Sequence, residues 1–211
     1  MPLDVDRRIA ELLCSRICHE LVAGIAAINN GVELISEIDA SMFDEAMGLI
    51  GDSARQSSAR VQYYRMSYGF AGNDALNGIG PVRELVDGLI ETEDRFAVNV
   101  ADPAPDMEMQ PGWGKLLLNL IVFAMDCLPK GGTVTTSVEM HDGRPRLGVL
   151  GQGEEARLSD RYRAAIEAAG PDEEVTALNV HAYYTAALAA ELGDGLQPDV
   201  TNGGISIRVT L

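Results

Sequence analysis

Long hydrophobic runs are missing from this chain, which contains no stretch of 18 uninterrupted apolar residues. The N-terminal sequence, MPLDVDRRIAELL, also lacks the apolar segment and the small-residue cleavage site of a signal peptide. Cysteine is scarce as well: Cys14, Cys18 and Cys127 are an odd number of thiols in 211 residues, so a disulfide framework is not expected. These absences predict a cytoplasmic protein without membrane contact.

Basic residues are half as numerous as acidic ones. The chain has 16 Lys and Arg against 32 Asp and Glu, which gives a formal net charge of −16. A charge of this sign repels nucleic-acid backbones and anionic lipid surfaces, so neither is expected as a partner. The apolar share, 46% of residues, is high enough for a substantial buried core in one large domain or two small ones.

The N-terminal third of the chain carries two long segments with apolar residues at helical spacing. In the first segment the apolar positions advance in steps of three and four, which places them on one stripe of a helix: Cys14, Ile17, Cys18, Leu21, Ile25, Ile28, Val32 and Ile35. The pattern breaks at 37–41, resumes in a second segment, and ends in the glycine-rich stretch 69–80. A helical hairpin is therefore predicted.

Two amphipathic helices of this length cannot enclose a core alone, because each offers only one apolar stripe. A second copy of the hairpin, related by a two-fold axis, would complete a four-helix bundle. We therefore expect a homodimer in which Cys14 and Cys18 fill the core of the bundle.

Beyond the hairpin the pattern changes to shorter, alternating elements. Helices are expected over 81–93, 112–128, 159–169 and 174–192, and strands over 95–101, 133–140, 146–150, 195–200 and 205–210. The Asp142-Gly143 pair is a hairpin-turn signal between two of these strands. The predicted fold class is α+β, with a helical-hairpin domain at 1–75 and an α/β sandwich domain at 76–211.

One histidine of the first helix is placed for chemistry. With Leu21 at the centre of the apolar stripe, His19 lies about 160° away, on the side shared by Arg16, Ala23 and Asn30. An imidazole exposed on a rigid helix beside small residues can be approached closely by a second protein, and imidazole is a nucleophile toward phosphorus. Without further context, however, an exposed histidine is more often a solvated surface residue.

The other two histidines, His141 and His181, have no acidic or cysteine residues at metal-ligand spacing. We expect both to be ordinary surface or partly buried residues. No metal site is predicted.

The sequence around His19 resembles a known motif. His19-Glu20-Leu21, within the first helix of a dimerising hairpin, resembles the H-box of histidine kinases. The run SRICHELVAGIAAINNGVELI is similar more specifically to the ChpT-type histidine phosphotransferases of alphaproteobacteria, and the resemblance extends along the whole chain. One residue departs from the H-box, because Gly24 stands where a proline is usual; this removes a kink and is expected to soften the helix.

The second domain resembles a degenerate ATP-binding domain of the histidine kinases. Phe123 stands at the position of a magnesium-binding asparagine, and Val149 at that of the aspartate that binds the adenine amino group. The run 178–181, LNVH, stands where kinases have a glycine-rich loop against the phosphates. The resemblance therefore implies that nucleotide binding is lost and that the chain has no cofactor, with Mg²⁺ expected only in the receiver domain of a partner.

What the resemblance implies is a histidine phosphotransferase of a two-component phosphorelay. His19 would take a phosphoryl group from the receiver domain of a hybrid histidine kinase and pass it to response-regulator receiver domains without ATP. Glu20 would be the hydrogen-bond or proton partner of the imidazole, and partners would contact Arg16, Ala23 and Asn30. Two alternatives stay open: a non-catalytic module that binds receiver domains, and a histidine kinase with an atypical ATP site.

Overall fold

The structure of the chain is a computed structural model that describes residues 7–37, 42–70, 75–168, 170, 174–201 and 203–211. The expected hairpin consists of the helices α1 (Arg7–Glu37) and α2 (Phe43–Ser67). The following elements are α3 (Ile79–Ile90), β1 (Phe96–Asn99), α4 (Trp113–Asp126), β2 (Gly132–His141), β3 (Arg144–Gln152), α5 (Asp160–Glu167), α6 (Val180–Leu192), β4 (Gln197–Thr201) and β5 (Gly204–Thr210). The predicted α+β fold class is confirmed. A division at residue 75 borders residues 71–74, which lie outside the described residues, and stays a prediction.

Two buried glycines let the helices of the hairpin approach closely. A β-carbon at Gly24 would lie 2.1 Å from Ser57 Oγ, and one at Gly31 would lie 2.5 Å from Ile50 Cγ1. The two positions are seven residues apart and therefore share a face of α1, which α2 covers. Gly24 thus makes room for α2 while α1 continues unbroken, a role that the expected softening of the helix does not include.

The apolar stripe of α1 is left largely uncovered by α2. Ile25 and Val32 are 52% and 56% exposed, and Val61 of α2 is 47% exposed. Cys14 and Cys18 are exposed too in the single chain, so their expected place in the core of a dimeric bundle stays a prediction. A hairpin packed only on itself therefore leaves apolar surface in water.

The five strands form one mixed sheet in the order β1-β2-β3-β5-β4. β1 runs parallel to β2, and all other neighbouring strands are antiparallel. α4 packs against β2, β3 and β5, and every residue from Trp113 to Ala124 is buried. Buried and exposed residues alternate along β2, so helices cover one face of a two-layer sandwich. Asp142 and Gly143 both have positive φ, as the predicted turn between β2 and β3 requires.

The last long helix is shorter than its sequence pattern predicts. A helix is expected from residue 174, but α6 begins at Val180. The side chain of Asn179 holds the preceding residues in a loop: its Oδ1 accepts a hydrogen bond from the Thr176 amide (2.7 Å), and its Nδ2 donates one to the Glu174 carbonyl (2.9 Å). The prediction is wrong at this end because the asparagine satisfies backbone groups that a helix would otherwise pair.

A buried hydrogen-bond chain joins the hairpin to the sandwich domain, and we call its four residues the interdomain seam: Tyr68, His181, Asn119 and Ser67. Tyr68 Oη lies 2.7 Å from His181 Nδ1, and His181 Nε2 lies 3.1 Å from the carbonyl oxygen of Asn119. Because a carbonyl oxygen only accepts, Nε2 carries the proton and Nδ1 accepts from the tyrosine hydroxyl. The side-chain amide of Asn119 donates to the carbonyl of Ser67 (2.8 Å), the last residue of α2, so the series of hydrogen bonds begins and ends at the hairpin. His181 is 1% exposed, so its expected surface or partly buried position is wrong.

Two more hydrogen bonds fasten α2 to the sandwich domain along its length. The buried hydroxyl of Tyr63 donates to the carbonyl of Leu118 (2.7 Å), and the side-chain amide of Gln56 donates to the carbonyl of Thr92 (2.9 Å). Residues of α1 and α2 also belong to the same buried apolar cluster as α4. The hairpin and the sandwich domain therefore share one core.

We expect the seam to make stability depend on pH. Burial lowers the pKa of His181 from 6.5 to about 3, and the charge of Arg16 acts in the same direction. Below pH 6.5 the unfolded chain therefore binds a proton that the folded chain does not. The free energy of unfolding decreases as the pH is lowered, and at pH 5 it is about 2 kcal/mol smaller than at neutral pH. Urea denaturation from about pH 8 to pH 4 should show a steeper fall for the wild type than for His181→Gln. Equal slopes would contradict the expected titration.

Candidate functional site

His19 lies on the exposed side of α1, near the middle of that helix. Ala23, Ala26 and Asn30, which follow on the same side, are exposed as well. Across the part of the chain that the structure describes, no side chain or backbone group forms a hydrogen bond with the His19 imidazole. The imidazole therefore has no hydrogen-bond partner among the described residues, and its exposure lets a second protein reach it.

Arg16 faces the sandwich domain rather than the exposed side of α1. Its Nη2 lies 3.0 Å and 3.3 Å from the two carboxylate oxygens of Asp126, at the end of α4, and its side chain is 11% exposed. Burial by itself lowers the pKa of Arg16, but Asp126 and the other acidic groups around the guanidinium together outweigh burial and bring the pKa above its ordinary value. Burial raises the pKa of Asp126, and the guanidinium opposes that rise. Arg16 is thus engaged within the chain, and its contact with a partner stays a prediction.

Glu20 lies one turn beyond Arg16 on the same face. Its carboxylate is 3.8 Å from Nη1 of Arg60 on α2, and Arg60 also contacts Glu93, in the segment between α3 and β1. Among the described residues, no hydrogen bond joins Glu20 to His19. The role of Glu20 as a proton partner therefore stays a prediction, while its contact with the arginine is a feature of the structure.

The charged residues next to His19 line a crevice of about 260 Å³ between α1, α2 and the sandwich domain. Three arginines and three carboxylates line it: Arg16, Arg60, Arg95, Glu20, Glu93 and Asp126. Two ion pairs cross this crevice, Arg16 with Asp126 and Arg60 with Glu93. They join the hairpin to the sandwich domain.

Arg60, Glu93 and Asp126 are not detectable as site residues from the sequence pattern. Arg60 and Glu93 are 33 residues apart, and Asp126 follows its arginine partner by 110. Helical spacing would instead pair Arg16 with Glu20, four residues later. In the structure Arg16 instead pairs with Asp126 of α4, and Glu20 lies near Arg60 of α2. Only the tertiary fold brings these partners near.

The positions at which the sandwich domain departs from an ATP-binding domain are parts of its core and of the seam. Phe123 is fully buried, and its ring meets the ring of Tyr162 edge to face at a centroid distance of 5.9 Å. Val149 is 2% exposed on β3, between β2 and β5. The run 178–181 ends in His181 of the seam. Apolar packing and an interdomain hydrogen bond therefore occupy the places where the resemblance puts nucleotide contacts.

Comparison with known proteins identifies the family. Residues 80–203 match the family described as the histidine phosphotransferase C-terminal domain. The chain is also 34% identical to the protein phosphotransferase ChpT of Brucella abortus (strain 2308) over 187 residues, which are 88% of this chain and 87% of that protein. The chain belongs to the ChpT-type histidine phosphotransferases. A solved structure of a bacterial phosphotransferase is similar over 99% of this chain and 98% of its own length, with 31% identity and a TM-score of 0.80.

Membership among the ChpT-type histidine phosphotransferases gives the class of reaction, which is phosphoryl transfer in a two-component phosphorelay. The resemblance seen in the sequence is thereby confirmed. In the described ranges, no helix has the length and hydropathy needed to cross a membrane. The same residues contain no group of three or more His, Cys, Asp or Glu side chains that could hold a metal ion.

Replacing Phe123 with the asparagine of the kinases should damage the core without creating a nucleotide site. Phe123→Asn removes a ring packed on Tyr162 and buries an amide, so a loss of about 3–5 kcal/mol in the free energy of unfolding is expected. Phe123→Leu is the control, with an expected loss of about 1.5 kcal/mol. Urea denaturation measures both losses. Saturable binding of a fluorescent ATP analogue to Phe123→Asn, in the presence of Mg²⁺, would contradict the second half of the prediction.

Proposed function

We propose that His19 is the phosphoacceptor of this phosphotransferase, taking the phosphoryl group from a receiver-domain aspartate of a hybrid histidine kinase and passing it to response-regulator receiver domains in the cytoplasm. The observation that carries this proposal is the contrast among the three histidines of the chain. His181 is buried in the seam, and His141 lies at a strand end, 3.4 Å from Asp142. Only the imidazole of His19 stands exposed on a long, unbroken helix.

The proposed reaction is an in-line displacement at phosphorus. An unprotonated ring nitrogen of His19 forms a bond to phosphorus while the bond to the aspartyl oxygen breaks and the receiver recovers its carboxylate. The second transfer is the same step in reverse, onto the aspartate of another receiver domain. Ala23 and Asn30, exposed on the same side, are the proposed direct contacts with the receiver. Arg16 and Glu20 line the crevice beside His19, and their proposed influence on the reaction comes from that position.

Neither a nucleotide nor a metal is required of this chain in the proposed reaction. The phosphoryl donor is already an acyl phosphate, and Mg²⁺ in the receiver domain would neutralise charge on the transferring group. The buried side chains of Phe123 and Val149 support the proposal, because neither can bind magnesium or the adenine amino group. These residues also disfavour the alternative of a histidine kinase with an atypical ATP site.

Two incubations test the proposed role of His19. A phosphorylated receiver domain should transfer label to the wild-type chain as an acid-labile phosphohistidine, and His19→Ala should stay unlabelled. His141→Ala is the matched control, and it should label like the wild type.

A second incubation, with labelled ATP and Mg²⁺ but no receiver domain, should label none of the three chains. Labelling of the wild type by ATP would favour the kinase alternative. A lack of transfer from several receiver domains that nevertheless bind would favour the non-catalytic module.

The uncovered apolar stripe supports a homodimer as the functional form. Besides the exposed residues of α1, Phe43 and Met47 of α2 are each 46% exposed. The stripe continues into a largely apolar groove of about 990 Å³ beside α6, lined by Leu13, Ile17, Leu21, Tyr184, Leu188 and Leu192 among others. Contiguous apolar surface of this extent is typical of an interface. We propose that a second hairpin covers it in a four-helix bundle.

Charge placed on the stripe should dissociate this dimer. Val32→Glu puts a carboxylate at the centre of the stripe, and light scattering at micromolar concentration should then give about 22.6 kDa, the mass of a single chain. Val22→Glu is the matched control: Val22 is 61% exposed on the same helix but lies about 100° from the centre of the stripe, so the dimer should persist. A wild-type chain that is monomeric at the same concentration would contradict the proposed homodimer.

A further inference from the structure

Two charged residues of α1 that line the crevice toward the sandwich domain bracket the proposed phosphoacceptor. Arg16 precedes His19 by three positions, and Glu20 follows it directly. Arg16 reaches Asp126 of α4, while Glu20 lies near Arg60, which contacts Glu93. The stretch of helix that carries the imidazole is therefore tied on one face to charges of other elements.

On a second face the same stretch of α1 is held by α2. Gly24, five residues after His19, is buried and leaves space for Ser57, and Ser57 Oγ donates to the Ser53 carbonyl of its own helix (2.8 Å). A helix packed closely on one face and bonded by an ion pair on another cannot turn about its axis without breaking one of the two contacts. The two contacts together therefore restrict the rotation of this part of α1.

We propose that Arg16 and Asp126 are positioning residues for phosphotransfer: their ion pair fixes the rotation of α1 and with it the direction of the His19 imidazole. This inference rests on the proposed role of His19. Asp126 belongs to α4, in which every residue from Trp113 to Ala124 is buried. The ion pair therefore fixes α1, and with it the imidazole, relative to the core of the sandwich domain. The sandwich domain thus contributes to the reaction without contacting the phosphoryl group.

The distances involved make such a role effective. A helix with its side chains has a radius of roughly 5–6 Å, so a rotation of about 10° moves a side-chain tip by about 1 Å. A displacement of this size at a reacting group can reduce a rate by about a hundredfold, because in-line attack needs the nucleophile in a narrow range of positions. Rotation of α1 by a small angle is therefore sufficient to slow transfer while the fold persists.

The ion pair is placed to resist such rotation. The side chains of Arg16 and Asp126 are 11% and 21% exposed, and the guanidinium contacts both carboxylate oxygens. A rotation of α1 that separates the two side chains would leave each as an unpaired, poorly solvated charge, so the paired arrangement is the more stable one. The pair of Glu20 and Arg60 adds a second, longer contact on the same face, at 3.8 Å.

Transfer kinetics of four variants test the positioning role: Asp126→Asn, Arg16→Gln, the double variant and Arg16→Lys. Each of the two charge-removing variants should lower the saturated transfer rate from a phosphorylated receiver by about tenfold to a hundredfold. The receiver concentration at half-saturation should stay within about twofold, because the exposed face of α1 is unchanged. The double variant should be no slower than the slower single variant, since the pair acts as a unit. Arg16→Lys keeps the charge and should retain most of the rate.

A matched control separates positioning from stability. Arg83 and Asp102 form an exposed ion pair of 2.7 Å within the sandwich domain, so Asp102→Asn removes a carboxylate of the same kind without touching α1. It should leave both kinetic parameters at their wild-type values. Circular dichroism at the assay temperature confirms that each variant is folded; if Asp126→Asn does not fold, Arg16→Gln against Arg16→Lys decides the same point.

The outcomes distinguish this inference from the proposed function. Labelling of wild-type His19 combined with unchanged kinetics of Asp126→Asn and Arg16→Gln overturns the positioning role and leaves the phosphoacceptor in place. A raised half-saturation concentration at an unchanged saturated rate also overturns it, because Arg16 would then act in docking. A wild-type chain that accepts no phosphoryl group from any receiver domain overturns both.

Discussion

The buried imidazole of His181 is the contact on which the rest of the arrangement depends. Both of its ring nitrogens are used, one toward Tyr68 at the end of α2 and one toward the backbone of α4. Because burial leaves the ring neutral, each nitrogen has a defined donor or acceptor role, and the two bonds can form only when the hairpin and the sandwich domain are in register. A polar group this deeply buried would destabilise any other arrangement of the two.

This constraint bears on the proposed reaction, in which the sandwich domain binds no nucleotide. In the kinases that the sequence resembles, the corresponding run lies against the phosphates of ATP. Here the run 178–181 ends in the seam, and Phe123 fills the core instead of holding a metal. The sandwich domain is instead bonded to α1, because the ion pair of Arg16 and Asp126 joins that helix to α4.

The candidate site is therefore divided between two faces of one helix. The exposed face presents His19 and small residues to a partner, and the neighbouring face binds charges of the same chain. Because consecutive residues of a helix are separated by about 100°, adjacent positions such as His19 and Glu20 can serve these different purposes. The uncovered apolar stripe is a third face, suited to a second copy.

The sequence by itself determined the helical hairpin, the sheet turn at Asp142 and Gly143, and the exposure of His19, since these follow from periodicities of a few residues and from local turn chemistry. It also carried the family resemblance. Only the tertiary structure decided that His181 is buried, that Gly24 admits Ser57, that α6 starts late at Val180, and that Arg16 bonds Asp126. Three of these depend on groups between 33 and 113 residues distant, and no local pattern records which of many charges or hydroxyls a fold will bring within 3 Å.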